Sequence, residues 1–328
     1  MNPRLILVLA ILLCCLSILP RTHAATGENS PTQVRLGIYL MELEDFDTRK
    51  HSFTADFWIW GVTPPDYKNW IQKLDYPNSI KVETSHATEQ LVDGMIWSNA
   101  HVSGEFREPW DLRNHPFDKR ELEILIEESF LETSQVVFVA DAANSNALDA
   151  RVPEGWCITN FSVTSASKKY STAFGDPSKP PKSSSDYTRL EIKISIKRDS
   201  YAIFWKLTAI PYIATILAFL SFFVVFDNLL MFSRFSLLIG SLFAACVSLR
   251  GLNSELGSTD VFTLMDSIHV ATLVYVIFAI LCAIISRYLF KREVPEPKVF
   301  FWNMLVGSAS LGVFIAVNVA LVWNAMNA

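Results

Sequence analysis

Four long apolar segments in the C-terminal part most constrain what this chain can fold into. Each is close to the length of about 20 residues that a helix needs to cross a bilayer. They lie at about residues 201–226, 234–254, 264–290 and 300–325. Residues 1–200 carry 21 of the 28 Lys and Arg and 27 of the 33 Asp and Glu. The sequence therefore predicts a water-facing domain over 25–198 and a membrane domain over 199–328. It excludes a disordered chain and a nucleic-acid binder with a basic face.

The first 24 residues have the pattern of a cleaved secretory signal. Arg4 supplies the positive charge, an apolar run covers residues 5–19, and Thr22-His23-Ala24 has the small-residue pattern of a cleavage site after Ala24. The alternative is an N-terminal membrane anchor, for which the apolar run is short. Cys157 is the only cysteine of the exported part, so we expect no disulfide in that domain.

Period-two alternation of apolar residues recurs between about residues 30 and 198 and is typical of half-buried strands. Turn clusters such as Val92-Asp93-Gly94 separate the alternating runs. We therefore predict an extracellular, immunoglobulin-like antiparallel β-sandwich, followed by a four-helix transmembrane bundle. The alternating sets are Val34/Leu36/Ile38/Leu40, Phe53/Ala55/Phe57/Ile59, Leu122/Ile124/Ile126, Val136/Phe138/Ala140 and Leu190/Ile192/Ile194/Ile196.

Most basic residues of the membrane domain fall in the connectors after the first and third apolar segments. The connector after the second apolar segment is acidic, with Glu255, Asp260 and Asp266. The positive-inside rule places the basic connectors in the cytoplasm, and the sandwich and the C-terminus on the opposite side. The basic residues assigned to the connectors after the first and third segments are Arg234, Arg287, Lys291, Arg292 and Lys298.

The second apolar segment is too polar for a lone lipid-facing helix. A stripe at steps of four and three is polar at both ends and apolar in the middle, which suits a water-filled pore with a constriction at Phe243 and Val247. The alternative is a small-residue packing face, which Gly240 and Ala244 also suit. Arg250 favours the pore, since an arginine within the membrane normally faces a cavity or a partner. The pore-lining candidates are Ser236, Gly240, Phe243, Val247, Arg250 and Ser254.

Motifs of enzymes are not found in the sequence. The histidines lack His-Glu-x-x-His spacing, no Gly-x-Ser-x-Gly or phosphate-binding loop occurs, and no cysteine pair has metal-site spacing. A carboxylate cluster lies in one alternating strand, and we expect most of it to be a solvated face. It consists of Glu121, Glu123, Glu127 and Glu128. We therefore expect no enzymatic activity, cofactor or bound metal.

Several motifs follow one another in an order that occurs in one known family. His115-Pro116-Phe117-Asp118 followed by Leu122 matches a Pro-Phe-Asp signature between two sandwich strands. Lys197-Arg198 ahead of Pro211 matches the basic end of the sandwich and the proline of the first span. In these motifs the chain resembles the prokaryotic pentameric ligand-gated ion channels, relatives of the Cys-loop neurotransmitter receptors. The resemblance implies a pentamer of identical or homologous subunits in the bacterial inner membrane, with ligand binding between the outer domains and a pore lined by the second span.

The resemblance also implies residues that couple the two domains. Asp118 and Arg198 match a carboxylate–arginine pair of the family, and Asp47 on the turn after the first strand is a further candidate. Pro116 and Phe117 belong to the same loop as Asp118. The alternative is an ordinary surface ion pair, which contributes about 0–1 kcal/mol.

For the ligand, the family uses aromatic side chains from several loops, because ring faces hold cationic amines. Trp58 matches the aromatic residue on the second strand, and Phe130 lies near a binding loop. Phe174 and Tyr187 flank a loop that resembles the cap over the site. Trp58 and Trp60 share one face, and the alternative is that this face is core. The ligand is an unidentified small molecule or protons.

Ion selectivity and conduction stay open at this point. Cation-selective members place a carboxylate where this chain has Phe232-Ser233, and a ring of Arg250 would repel cations unless it pairs with Glu255 or Asp260. The competing hypothesis is a non-conducting membrane receptor or ligand-binding protein of the same architecture.

Overall fold

The structure, a computed structural model, describes residues 30–198, 201–224, 228–256 and 261–327, and within these the side chains of 228–230 and 253–256 are not described. The predicted signal, residues 1–24, and the side chain of Ser254 therefore lie outside the description. A β-sandwich precedes four long helices, as the sequence predicted.

The described part of the outer domain has nine strands in two sheets. In chain order they are β1 (Thr32–Asp47), β2 (Ser52–Thr63), β3 (Leu74–Asp75), β4 (Ser79–Val92), β5 (Met95–Arg107), β6 (Lys119–Glu132), β7 (Val136–Ala140), β8 (Trp156–Tyr170) and β9 (Ser185–Arg198). One sheet has the order β4-β5-β2-β1-β7 and the other β3-β6-β9-β8. The pairs are antiparallel except β1 with β7, which is parallel. No hairpin joins these two strands, so a tight turn does not fix their relative direction.

The predicted alternating residues fill the space between the two sheets. In β1 and β2 the inward positions from Val34 to Leu40 and from Phe53 to Ile59 are all fully buried. Trp70, in a short 3-10 helix, is fully buried beside them. Burial of one such aliphatic or aromatic side chain stabilises the fold by about 1.5–3 kcal/mol. The period-two prediction is confirmed for these strands.

Among the described residues, four helices are long and apolar enough to cross a membrane, so the chain is a multi-pass membrane protein by length and composition. They are α1 (Tyr201–Leu220), α2 (Asn228–Leu256), α3 (Leu264–Lys291) and α4 (Glu296–Asn327). A 3-10 turn, Ser221–Phe223, extends α1. A capping box starts α3: the Thr263 hydroxyl accepts from the Asp266 amide at 3.1 Å, and the Asp266 carboxylate accepts from the Thr263 amide at 2.9 Å.

Helix α2 begins well before the expected residue 234, and Arg234 is not in a connector. Its side chain is fully buried in the bundle, where Nη2 donates to Asn303 Oδ1 of α4 at 3.1 Å. Asn303 also accepts from the Ser286 hydroxyl of α3 at 3.1 Å and donates to the Phe222 carbonyl at 2.8 Å. A buried charge needs such polar partners. Arg234 therefore lies inside α2, not in a connector as predicted, and takes part in joining the helices.

Candidate functional site

The predicted stripe of α2 faces away from the other three helices. Ser236, Gly240 and Arg250 are exposed, and the side chains of Phe243 and Val247 are 71% and 52% exposed. The opposite face of α2 packs into the bundle. Its buried residues are Met231, Arg234, Leu238, Ser241, Ala245 and Leu252. Five of the six stripe residues thus share one uncovered face.

Close packing within the chain does not account for the small residues of this stripe. A Cβ atom added at Gly240 would meet no other heavy atom within 4 Å. A small-residue packing face would instead bring a neighbouring backbone against the glycine. The packing alternative therefore fails within one chain, and a face that mixes polar groups with two bulky apolar side chains is left for water or for other copies.

The loop between β5 and β6, residues 108–118, joins the sandwich to the helices and is called the junction loop. Phe117 packs on α1, with its ring centroid 5.4 Å from that of Phe204 and 6.5 Å from that of Tyr201. In the same loop the carbonyl oxygen of Arg113 accepts a hydrogen bond of 2.8 Å from the Leu264 amide at the start of α3. Pro116 follows a cis peptide bond in this loop. One loop therefore contacts two different membrane helices.

Asp118 lies in the same loop and is only 2% exposed. Its Oδ2 is 3.6 Å from His115 Nδ1, and its backbone carbonyl accepts from the Arg198 amide at 3.3 Å. Burial lowers the pKa of the Arg198 guanidinium, and the negative charge of Asp118 acts in the opposite direction. Asp118 and Arg198 thus interact electrostatically in a shielded place, which an ordinary surface ion pair does not do.

Arg198 also lies over an aromatic cluster. Its guanidinium carbon is 4.3 Å from the centre of the Trp156 ring. Phe46 and Trp110 pack on Trp156, with ring centroids 5.2 and 6.2 Å away. A cation over the face of an aromatic ring gains about 0.5–2 kcal/mol, and both Arg198 and Trp156 are half-buried. This cluster, which was not predicted, holds the end of β9 just before the first membrane helix.

Asp47 has its described contacts in its own turn. Its Oδ1 accepts from the amides of Arg49 and Lys50 at 2.8 and 2.9 Å, and its Oδ2 is 3.7 Å from Lys50 Nζ. The hydrogen bond from the Lys50 amide lowers the pKa of this carboxyl group. The structure therefore places Asp47 as a turn-stabilising residue, and none of its described contacts reaches Asp118 or Arg198.

Two of the four ligand candidates meet at one end of the four-stranded sheet. The rings of Phe174 and Tyr187 are 6.3 Å apart, and Tyr170 joins them at 5.4 and 6.0 Å. The chain reverses at Phe174 and Gly175, whose φ angles of 54° and 79° lie in the left-handed region. Phe174 is 64% exposed. These three residues, the aromatic trio, form an open surface of ring faces and edges.

A buried ion pair supports the aromatic trio. Arg189 and Glu127, 9% and 5% exposed, approach to 3.1 Å between Nη2 and Oε2, and the Tyr170 hydroxyl donates to Glu127 Oε1 at 2.6 Å. Burial raises the pKa of Tyr170, and the hydrogen bond to Glu127 raises it further. The expectation that the glutamates of β6 form a solvated face is therefore wrong for Glu127. Glu127 and Arg189 are direct partners in the pairing of β6 with β9, on the face of the sheet opposite to Ile126 and Leu190. Alternation alone therefore places both in water and gives no signal for this network.

Glu128 is also buried, at 1% exposure, and organises the loop that carries Phe130. Its carboxylate accepts from the Phe130 amide at 2.5 Å, from the Leu131 amide, and from the Tyr67 hydroxyl at 3.0 Å. The Phe130 side chain itself is 71% exposed and makes no ring contact with the aromatic trio among the described residues. Phe130 is thus separate from the other candidates within one chain.

Trp58 lies on the outer face of the five-stranded sheet, so its core alternative is wrong. Its ring centroid is 5.2 Å from that of His101 and 6.5 Å from that of His86. The His101 ring pairs with Asp56 through Nε2 and is 3.4 Å from the Ser85 hydroxyl through Nδ1. Apart from Phe130, the ligand candidates therefore lie in two groups on different sheets. One is the aromatic trio, and the other is the Trp58 cluster of Trp58, His86, His101, Asp56 and Ser85.

No model of a known protein family matches the chain, and no curated protein does. Within the described residues, no group of three or more His, Cys, Asp or Glu is arranged to hold a metal ion. The features of the chain that bear on its function are therefore the α2 stripe, the junction loop and the two ligand groups.

Proposed function

We propose that the chain is one subunit of a pentameric ligand-gated ion channel, in which α2 lines the pore. The uncovered α2 stripe is the observation that carries the proposal. Phe243 and Val247 are exposed on a membrane helix next to Gly240, Ser236 and Arg250, which lipid does not favour. Five such faces around an axis would enclose a polar lumen, with Phe243 and Val247 as a hydrophobic constriction.

The ligand site of this proposal forms between neighbouring subunits. The aromatic trio is on the four-stranded sheet and the Trp58 cluster is on the five-stranded sheet, so one chain holds two half-sites. In a ring of copies the four-stranded sheet of one subunit would face the five-stranded sheet of the next. Ring faces on both sides, with Asp56 on one of them, suit a small cationic ligand.

The junction loop would pass ligand binding on to the pore. Phe117 contacts α1, and Arg113 contacts the start of α3, which packs on α2 through the Ser248–His269 hydrogen bond of 2.9 Å. A ligand that binds one arrangement of the sandwich more tightly would shift this chain of contacts between two states. In this proposal the sandwich and the C-terminus face the periplasm, the permeant species are inorganic ions, and the membrane is the bacterial inner membrane.

A ligand-independent recording tests the proposal. The purified full chain is reconstituted in planar bilayers as wild type, as F243A, and as F301A, which removes a phenylalanine that is 62% exposed on α4. We expect F243A to raise the resting conductance, because loss of the ring weakens the dewetted constriction. F301A should behave as wild type. If F243A conducts no more than wild type, Phe243 is not the constriction. If neither conducts in any salt, at any pH or with added amines, the chain is a non-conducting receptor.

A further inference from the structure

Two lysines face each other across the last rung of the sandwich. Lys119 opens β6 and Lys197 precedes the end of β9, and their Cα atoms are direct antiparallel partners. Both are exposed, and neither has an ion pair with a described residue. Like charges directly opposite each other repel. An anion between the two ammonium groups would remove that repulsion.

A cavity of about 510 Å³ lies beside this lysine pair. Three cations line it and, among the described residues, no acidic side chain does. Asp199, the next residue after Arg198, is outside the description. The lining residues that matter are Lys119, Lys197, Arg198, Trp156, Tyr201 and Met326. The cavity thus combines positive charge with aromatic and apolar walls.

Met326, near the end of α4, also lines a second cavity of about 540 Å³. This one lies between α1 and α4 and is almost entirely apolar, with Ile216, Phe314 and Val319 in its wall. A cationic recess and an apolar groove are therefore neighbours along one side of the protein. Their order, charge next to the sandwich and hydrocarbon beside the helices, is that of a lipid molecule.

The lysine pair lies next to the start of the first membrane helix, where lipid headgroups are expected. β9 ends at Arg198 and α1 begins at Tyr201, so the two lysines are just outside the first membrane turn. Tyr201 and Trp323 are 63% and 67% exposed at this end of the bundle, as expected of side chains that anchor at the interface.

We propose that this place binds a phospholipid with an anionic headgroup, in the leaflet next to the sandwich. The phosphate and headgroup would lie between Lys119 and Lys197, and one acyl chain would lie in the groove between α1 and α4. A soluble anion would leave the apolar groove unused, and a zwitterionic lipid would leave the lysine repulsion largely in place. The site requires neither a pentamer nor a pore, so it does not depend on the proposed function.

Native mass spectrometry of the full chain measures this binding directly. The protein in detergent receives equal amounts of phosphatidylglycerol and phosphatidylcholine with the same acyl chains, and the retained lipids are counted. We expect wild type to retain phosphatidylglycerol preferentially. One basic side chain at an anionic lipid surface changes the binding constant about fivefold. The preference of K119Q/K197Q for phosphatidylglycerol over phosphatidylcholine should therefore be about 25-fold lower than that of wild type.

The matched control is K168Q/K169Q, which removes two exposed lysines near the far end of β8 and should bind as wild type. K119R/K197R keeps the charge and should restore retention. V319W fills the groove from its exposed edge and should weaken the binding of both lipids. The proposal is overturned if K119Q/K197Q retains phosphatidylglycerol as wild type does. It is equally overturned if wild type has no headgroup preference, or if glycerol 1-phosphate at the lipid concentration displaces the lipid.

Discussion

The Phe117 ring packs 5.4 Å from the Phe204 ring, and this contact places a loop of the outer domain on the first membrane helix. Phe117 belongs to an apolar cluster that also contains Leu264 and Met265 of α3. Leu264 donates its amide hydrogen to the Arg113 carbonyl of the same loop. Any movement of this loop therefore acts on α1 and α3 together.

F117A should loosen the junction. Because Phe117 is partly exposed, we expect the free energy of unfolding to fall by about 2 kcal/mol, less than for a fully buried phenylalanine. Hydrogen exchange should rise in residues 111–118 and 261–268, where the loop meets α3. The control F130A removes a ring that is 71% exposed and should leave the thermal midpoint in detergent unchanged. Equal midpoints for F117A and wild type would mean that the contact does not hold the domains together.

The structural roles of Asp118 and Asp47 can be distinguished by making the same change, aspartate to asparagine, at each position. D118N removes a buried carboxylate from beside the half-buried Arg198 guanidinium, so we expect a loss of about 2–3 kcal/mol in the free energy of unfolding. Reversal to lysine would bury a second cation and unfold the chain for an unrelated reason. D47N changes a half-buried turn residue whose asparagine oxygen can still accept the turn hydrogen bonds, so it should leave the thermal midpoint near that of wild type. A D47N variant as unstable as D118N contradicts the assignment.

Asn303 and Asn318 are both buried in α4, and their bonds differ. Asn303 bonds Arg234, Ser286 and the Phe222 carbonyl of other elements, whereas the one hydrogen bond of the Asn318 side chain to a described residue goes to the Phe314 carbonyl of its own helix. N303A removes the acceptor of a buried guanidinium and should lower the free energy of unfolding by about 2–4 kcal/mol. N318A should cost about 1 kcal/mol or less. Thermal unfolding in detergent compares the two, and equal losses would show that the bonds between helices add nothing.

The strands and the α2 stripe could be predicted because both follow from a period in the sequence. In β1 and β2 the apolar side chains recur at every second position, and burial has the same period. The stripe residues from Ser236 to Arg250 recur with the helical period, and all five are exposed on one face of α2. Such local patterns do not require knowledge of distant partners.

The charged network under the aromatic trio could not be predicted in this way. Glu127 in β6 is buried because Arg189 and Tyr170, far along the chain, supply its partners. Arg234 is likewise buried because Asn303 of α4 accepts its hydrogen bond. A single charged residue in a sequence indicates water, since removing a lone charge from water is costly. Only the tertiary pairing shows that the charge is not alone.

Glu108, the residue after β5, should make the stability of the sandwich depend on pH. Burial raises the pKa of this carboxyl group from 4.5 to about 7, and its Oε2 accepts from the Glu123 amide at 3.4 Å. Between pH 4.5 and 7 the unfolded chain loses this proton while the folded chain keeps it. Stability therefore falls as the pH rises through this window, by about 1–2 kcal/mol once partial exposure is allowed for, and levels off above it.

E108Q cannot ionise, so it should match wild type near pH 4 and be more stable at pH 8. E89Q, at an exposed position of β4, should follow wild type throughout. Thermal midpoints measured from pH 4 to 8 decide the matter: parallel curves for E108Q and wild type would show that Glu108 does not titrate in this range.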